Sequence, residues 1–111
     1  MERKVIISKT AEKRLEKLFE YLIENWSLKV KIDFVKKLDN KIDLLKSHPN
    51  GFPKSIKEKG LRKCVITKQT TLFYKFDSER IYIITVFDTR QNPEKLKEDL
   101  SKRSTTKAKG L

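Results

Sequence analysis

GLRKCVITKQTTLFYKFDSERIYIITVFDTRQNP, running from Gly60 to Pro93, is the stretch whose reading decides the fold. It contains three β-rich runs, Arg62 to Thr67, Thr71 to Phe76 and Ile81 to Asp88, dense in the β-branched and aromatic residues that suit a pleated surface. The gaps between them are too short for the crossover helix that parallel neighbours need, so the three runs must form an antiparallel meander. The last run, IYIITVF, is apolar on both faces, the pattern of a central strand covered by helices on one side and partly shielded on the other. Arg62, Lys63, Lys68, Lys75 and Arg90 lie on or near these strands.

Upstream, Val5 to Ser8 is a β-branched run too brief to stand alone, and it reads as a strand that pairs with the later sheet. Thr10 is a plausible N-cap for a first helix with Glu12 in its first turn. Leu15, Leu18, Phe19, Leu22, Ile23 and Trp26 then recur at spacings of three and four as one apolar stripe. Ser27 can cap a second helix, on which Phe34, Leu38, Ile42 and Leu45 hold one face, and so short a connection implies an antiparallel hairpin. The opposite face, with Lys36, Lys37, Asp39, Lys41 and Asp43, reads as solvated charge. His48-Pro49-Asn50-Gly51-Phe52-Pro53 ends that helix and opens a loop made basic by Lys54, Lys57 and Lys59. The order β-α-α-β-β-β, an antiparallel sheet packed against an N-terminal helical hairpin, is an α+β architecture.

With 111 residues the chain fits one domain, and a domain of this size buries roughly 60 to 70% of the surface its unfolded chain exposes. The 27 Lys and Arg against 15 Asp and Glu give +12, which favours an anionic partner, although a lysine-rich surface also arises simply from solubility. The basic tail from residue 97 to 111 reads as mobile, and its end SKRSTTKAKGL adds four of the cations. Cys64, alone inside an apolar run, excludes an internal disulfide and reads as a small core residue. His48, the one histidine, sits in the Pro/Gly loop without ligand partners, so neither a metal nor another cofactor is expected. No apolar run approaches a membrane span or a signal peptide, and a cytoplasmic location is expected.

The element order, with Gly60-Leu61-Arg62 opening the second strand, Leu72-Phe73-Tyr74 in the third and Asp88-Thr89-Arg90 closing the fourth, resembles the RelE/ParE superfamily of toxins. The resemblance covers roughly residues 3 to 96, so a toxin domain over 1–96 followed by the tail is expected. It implies the toxin of a type II toxin–antitoxin module, neutralised by a small antitoxin. RelE-like members cleave messenger RNA on the ribosome without a metal, whereas ParE-like members act on DNA gyrase.

Metal-free cleavage by 2′-hydroxyl attack needs a base, cations for the charge that builds on the phosphate, and an acid for the leaving oxygen. Arg62 and Arg90 could hold a phosphate bidentately, and a lysine such as Lys68 could act as base if neighbouring cations depressed its pKa; these three are the catalytic candidates of a nuclease. RelE-like nucleases usually carry an arginine opening the third strand and a tyrosine or histidine beyond the fourth-strand arginine. Here Thr71 stands at the first position, and Thr89 to Leu111 holds no histidine or aromatic residue. The expectation is therefore a gyrase-directed toxin whose target surface includes Arg62, Lys63, Lys75 and Arg90. The alternatives are a ribosome-dependent endoribonuclease and a non-toxic nucleic-acid-binding module. For the antitoxin, a groove between hairpin and sheet edge is expected, with Leu22, Trp26, Phe34 and Phe52 as apolar contacts or plain core.

Overall fold

A computed structural model describes residues 3–55 and 60–89. Strand β1 (Lys4–Ile7) leads into helix α1 (Lys9–Asn25) and helix α2 (Leu28–Ser47), and a short 3-10 turn (Pro49–Gly51) follows. Strands β2 (Arg62–Val65), β3 (Thr70–Phe76) and β4 (Arg80–Asp88) complete the fold. Arg90, the proposed helix and tail after it, and Lys57 and Lys59 lie outside the described residues.

Helix α1 starts one turn's edge earlier than the sequence suggests. Ser8, not Thr10, is the N-cap: its Oγ accepts the Ala11 N–H at 3.0 Å and donates to the Ile84 carbonyl at 2.6 Å. The Ser8 N–H is itself bound to the Ile83 carbonyl at 3.0 Å, so the end of β1 pins the capping residue before the helix begins. Ala11, Leu15, Leu18 and Leu22 are buried as the stripe requires. Trp26 departs from it, because its backbone has left the helix (φ −128°, ψ −91°) and the indole is 66% exposed.

Ser27 caps α2 as expected, its Oγ accepting the Val30 N–H at 3.1 Å, and Phe34, Leu38 and Leu45 are buried with Ile42 packed beside them. The 3-10 turn is tied to the sheet by the Tyr74 hydroxyl, which donates to the Pro49 carbonyl at 2.6 Å.

The sheet order is β1-β4-β3-β2. The meander β2–β3–β4 is antiparallel as expected, but β1 pairs with β4 in parallel, so the sheet is mixed. A parallel pair is open to β1 because two helices and two strands intervene, ample chain for a crossover. Strand β2 stops at Val65: Ile66 and Thr67 turn away, the Ile66 N–H reaching the Thr70 carbonyl at 2.9 Å and Thr67 Oγ accepting the N–H groups of Gln69 and Thr70 at 3.2 Å.

A register shift between Phe73 and Tyr74 leaves Ile84 as the extra residue of β4, since Phe73 faces Thr85 and Tyr74 faces Ile83. This explains the doubly apolar look of IYIITVF. Ile81, Ile83 and Val86 join the core under the helices, while Ile84 and Phe87 pack with Leu61 and Phe73 into a second, smaller cluster. Among the described residues no helix is long and apolar enough to cross a membrane.

Candidate functional surfaces

Because successive side chains of a strand point to opposite faces, the registers sort the cationic residues. Lys63 stands opposite Phe73 and Phe73 opposite Thr85; Val65, Thr71 and Phe87 form the next row; Lys75 faces Tyr82, and Tyr82 faces Ile6. Lys4 and Arg80 make the row at the end. These rows build the face of the sheet away from α1 and α2, called open here because no described helix covers it, although Phe73 and Thr85 on it are buried. Its described rows carry lysine, arginine, aromatic, aliphatic and threonine side chains and no carboxylate.

The Lys75 ammonium lies 5.5 Å from the centre of the Tyr82 ring. The Tyr82 hydroxyl donates to Asp77 Oδ2 at 3.2 Å, and Asp77 Oδ1 accepts the N–H groups of Glu79 and Arg80, both at 2.8 Å. Those backbone bonds hold the Asp77 carboxyl below its ordinary range and close the β3–β4 turn.

Arg62 does not belong to that face. Its strand partner is Tyr74, which is fully buried under the helices. Its Nη1 donates to the Phe52 carbonyl at 2.7 Å, and its guanidinium lies 5.7 Å from the centre of the Phe76 ring. Arg3 approaches the same ring at 5.5 Å and donates through Nε to the Asp77 carbonyl at 2.7 Å. Lys68 sits exposed in the turn beyond the other end of β2. The structure therefore brings Lys63 and Lys75 to one face and sets Arg62 and Lys68 apart from each other and from that pair.

Phe52 packs edge-on against Tyr74 with centroids 6.3 Å apart, and burial pushes the Tyr74 phenol up to about 12. Burial likewise raises the Cys64 thiol, which is fully enclosed in the core. His48 is exposed, with Nδ1 2.9 Å from Ser47 Oγ. Among the described residues, no three histidine, cysteine or carboxylate side chains gather as a metal site would require.

Leu22 and Phe34 are buried at the floor of a groove of about 270 Å³, walled by Val30, Asp33 and Lys37 of α2 and by Thr67 and Gln69 of the β2–β3 turn. This is a groove between hairpin and sheet edge. Trp26 stands at the hairpin tip with Ile23, Leu28 and Ile32, all of them exposed. Phe52 follows the other end of α2, about 20 Å along the helix from Phe34, and packs on Tyr74 rather than lining this groove. Sequence reasoning missed Leu28, Val30 and Ile32. Their signal was three apolar residues that fall off the buried stripe of Phe34, Leu38 and Leu45.

The family model for the ParE toxin of the type II toxin–antitoxin system parDE matches residues 5–93. No curated protein matches the chain in sequence. Among solved structures, the chromosomal ParDE system of Pseudomonas aeruginosa superposes with a TM-score of 0.67 at 11% identity, over 78% of this chain and 95% of that one. The RelBE2 toxin–antitoxin complex of Mycobacterium tuberculosis aligns at 0.53 and 18% identity, over 79% and 99%. The DinJ–YafQ complex of Escherichia coli aligns at 0.55 and 14%, over 81% and 96%. At such identities these likenesses are likenesses of fold.

Proposed function

The chain belongs to the family of ParE toxins of type II toxin–antitoxin systems, and from that membership we propose that it arrests growth in the cytoplasm by binding DNA gyrase, and that a cognate antitoxin neutralises it. The observation that carries this reading is the match to the ParE family over nearly all of the described fold. The placement of the cations supports it. A nuclease built on Arg62, Lys68 and Arg90 needs those groups around one phosphate, yet Arg62 is turned under the helices and Lys68 lies past the opposite end of β2.

On this reading the target surface is the open face, where Lys63 and Lys75 flank Phe73 and Tyr82, with the Asp77 carboxylate held at its edge by the β3–β4 turn. Arg90, one residue past the described end of β4, joins that surface as a proposal from its sequence position. The antitoxin takes the other side: a helical or extended segment lays one apolar side chain into the groove over Leu22 and Phe34 and covers Trp26. The chain's +12 favours an acidic segment there.

Purified gyrase tests the reading. The chain is expected to block supercoiling of relaxed plasmid, and the product of the adjoining reading frame to restore it. Cleavage of ribosome-bound messenger RNA with gyrase untouched would instead establish the RelE-like activity.

A further inference from the structure

We propose that Arg3 and Arg62, brought to Phe76 from opposite flanks of the sheet, form a clamp for two carboxylates of the antitoxin; the assignment rests on the reading that an acidic antitoxin segment binds this chain. Arg3 precedes β1 and Arg62 opens β2, the two outermost strands, while Phe76 closes β3 between them. Each guanidinium is held twice. Arg3 is fixed by its 2.7 Å bond to the Asp77 carbonyl and by the ring at 5.5 Å, Arg62 by its 2.7 Å bond to the Phe52 carbonyl and by the same ring at 5.7 Å.

A guanidinium has five N–H donors, and one bond to a carbonyl leaves a fork free on each. Neither group forms an ion pair with a carboxylate among the described residues. An arginine that is oriented, half-buried and without a counter-charge is prepared for a partner's carboxylate, because little side-chain freedom remains to be lost when the pair forms. Arg62 also borders a cavity of about 490 Å³ lined by Lys54, Ser55, Gly60 and Leu61, which gives an incoming side chain room beside it.

The spacing bounds the ligand. Given their distances to the shared ring, the two guanidinium groups stand no more than about 11 Å apart, a span that carboxylates two or three residues apart on an extended segment reach at about 3.3 Å per residue. A single carboxylate or phosphate group cannot fill both forks if the pair is near that limit. The clamp lies on the helix side of the sheet, away from Lys63 and Lys75, so an occupant here leaves the open face uncovered.

Titration calorimetry of the full chain with the product of the adjoining reading frame, in about 0.15 M salt to screen diffuse attraction, tests the clamp. Arg3→Gln and Arg62→Gln are each expected to weaken binding at least tenfold, Arg3→Lys to weaken it despite the retained charge, and Lys13→Gln, at an exposed position of α1, to leave it unchanged. Wild-type affinity in both glutamine variants overturns the clamp while leaving the antitoxin reading in place. No binding by the wild type overturns that reading, and octaglutamate then decides the clamp: the Nε–Hε resonances of Arg3 and Arg62 should shift together and saturate on one curve. Unmoved resonances, or tighter saturation by octathymidylate, overturn the carboxylate assignment. Arg62 also anchors the Phe52 carbonyl, so Arg3→Gln, which leaves that anchor intact, is the variant that separates binding from folding.

Discussion

The two faces of one sheet use similar residues for opposite ends. On the helix side, Arg62, Tyr74 and Phe76 are drawn into the fold: the phenol binds the Pro49 carbonyl, the guanidinium binds the Phe52 carbonyl, and both pack around Phe76. On the open side, Lys63, Lys75 and Tyr82 stand in rows that no described helix covers, with the Tyr82 hydroxyl on Asp77 and the Lys75 ammonium beside the Tyr82 ring. The lesson is that a cation's neighbour in the sequence says little about its task. Arg62 and Lys63 are adjacent, and the pleat sends one to the helix side, where it is anchored on the Phe52 carbonyl, and the other to the opposite face.

The largest effect should come from cutting into the helix side. Tyr74→Ala removes a fully buried ring and orphans the Pro49 carbonyl, and it is expected to cost about 3–5 kcal/mol in urea unfolding. Tyr74→Phe, which keeps the ring and loses the bond, should cost about 1–3 kcal/mol. If Tyr74→Ala unfolds no more easily than Lys75→Ala, the contrast between the faces collapses.

Next comes the hairpin tip, where Trp26 is exposed. Trp26→Ala should weaken antitoxin binding by about 2 kcal/mol, roughly thirtyfold, with a melting temperature close to wild type. A stability loss as large as that of a core substitution would return Trp26 to the core.

The pH dependence follows from the same contrast. The phenol of Tyr74, ordinarily near 10, is raised to about 12 in the fold, so the folded state favours its neutral form. Its contribution is present below pH 10 and is lost as the pH rises through about 12, so wild type should lose stability over that window on the order of 2–3 kcal/mol more than Tyr74→Phe. Parallel alkaline unfolding curves for the two proteins would contradict this. The smallest expected effect is on the open face, where Lys63→Ala should change stability by no more than about 0.5 kcal/mol.

Much of the fold was legible because its periodicities are strong. The stripes of Leu15, Leu18 and Leu22 and of Phe34, Leu38 and Leu45, the Ser27 cap and the three-strand meander follow from spacing alone. The parallel seat of β1 was not legible, since so short a strand, Val5-Ile6-Ile7 after Lys4, carries no mark of direction, and the Ser8 cap depends on that seat. The bulge at Ile84 was hidden for a related reason: a run apolar at every position has no alternation to interrupt. The candidate surface was half legible. The cations were visible in the sequence, but which of them share a face is a matter of register, and register divided Arg62 from Lys63 and Lys75. Of the residues expected around a groove between hairpin and sheet edge, Leu22 and Phe34 line the one in the structure, whereas Phe52 packs on Tyr74 beyond the other end of α2.

The central claim is that the open face meets the target while the helix side meets the antitoxin, and the double variant Lys63→Glu/Lys75→Glu tests it most directly. Measured in one gyrase supercoiling assay and one antitoxin titration, it should lose inhibition by at least tenfold and bind the antitoxin within about twofold of wild type, with an unchanged melting curve. Retained inhibition, or a loss of antitoxin binding equal to the loss of inhibition, would contradict the division.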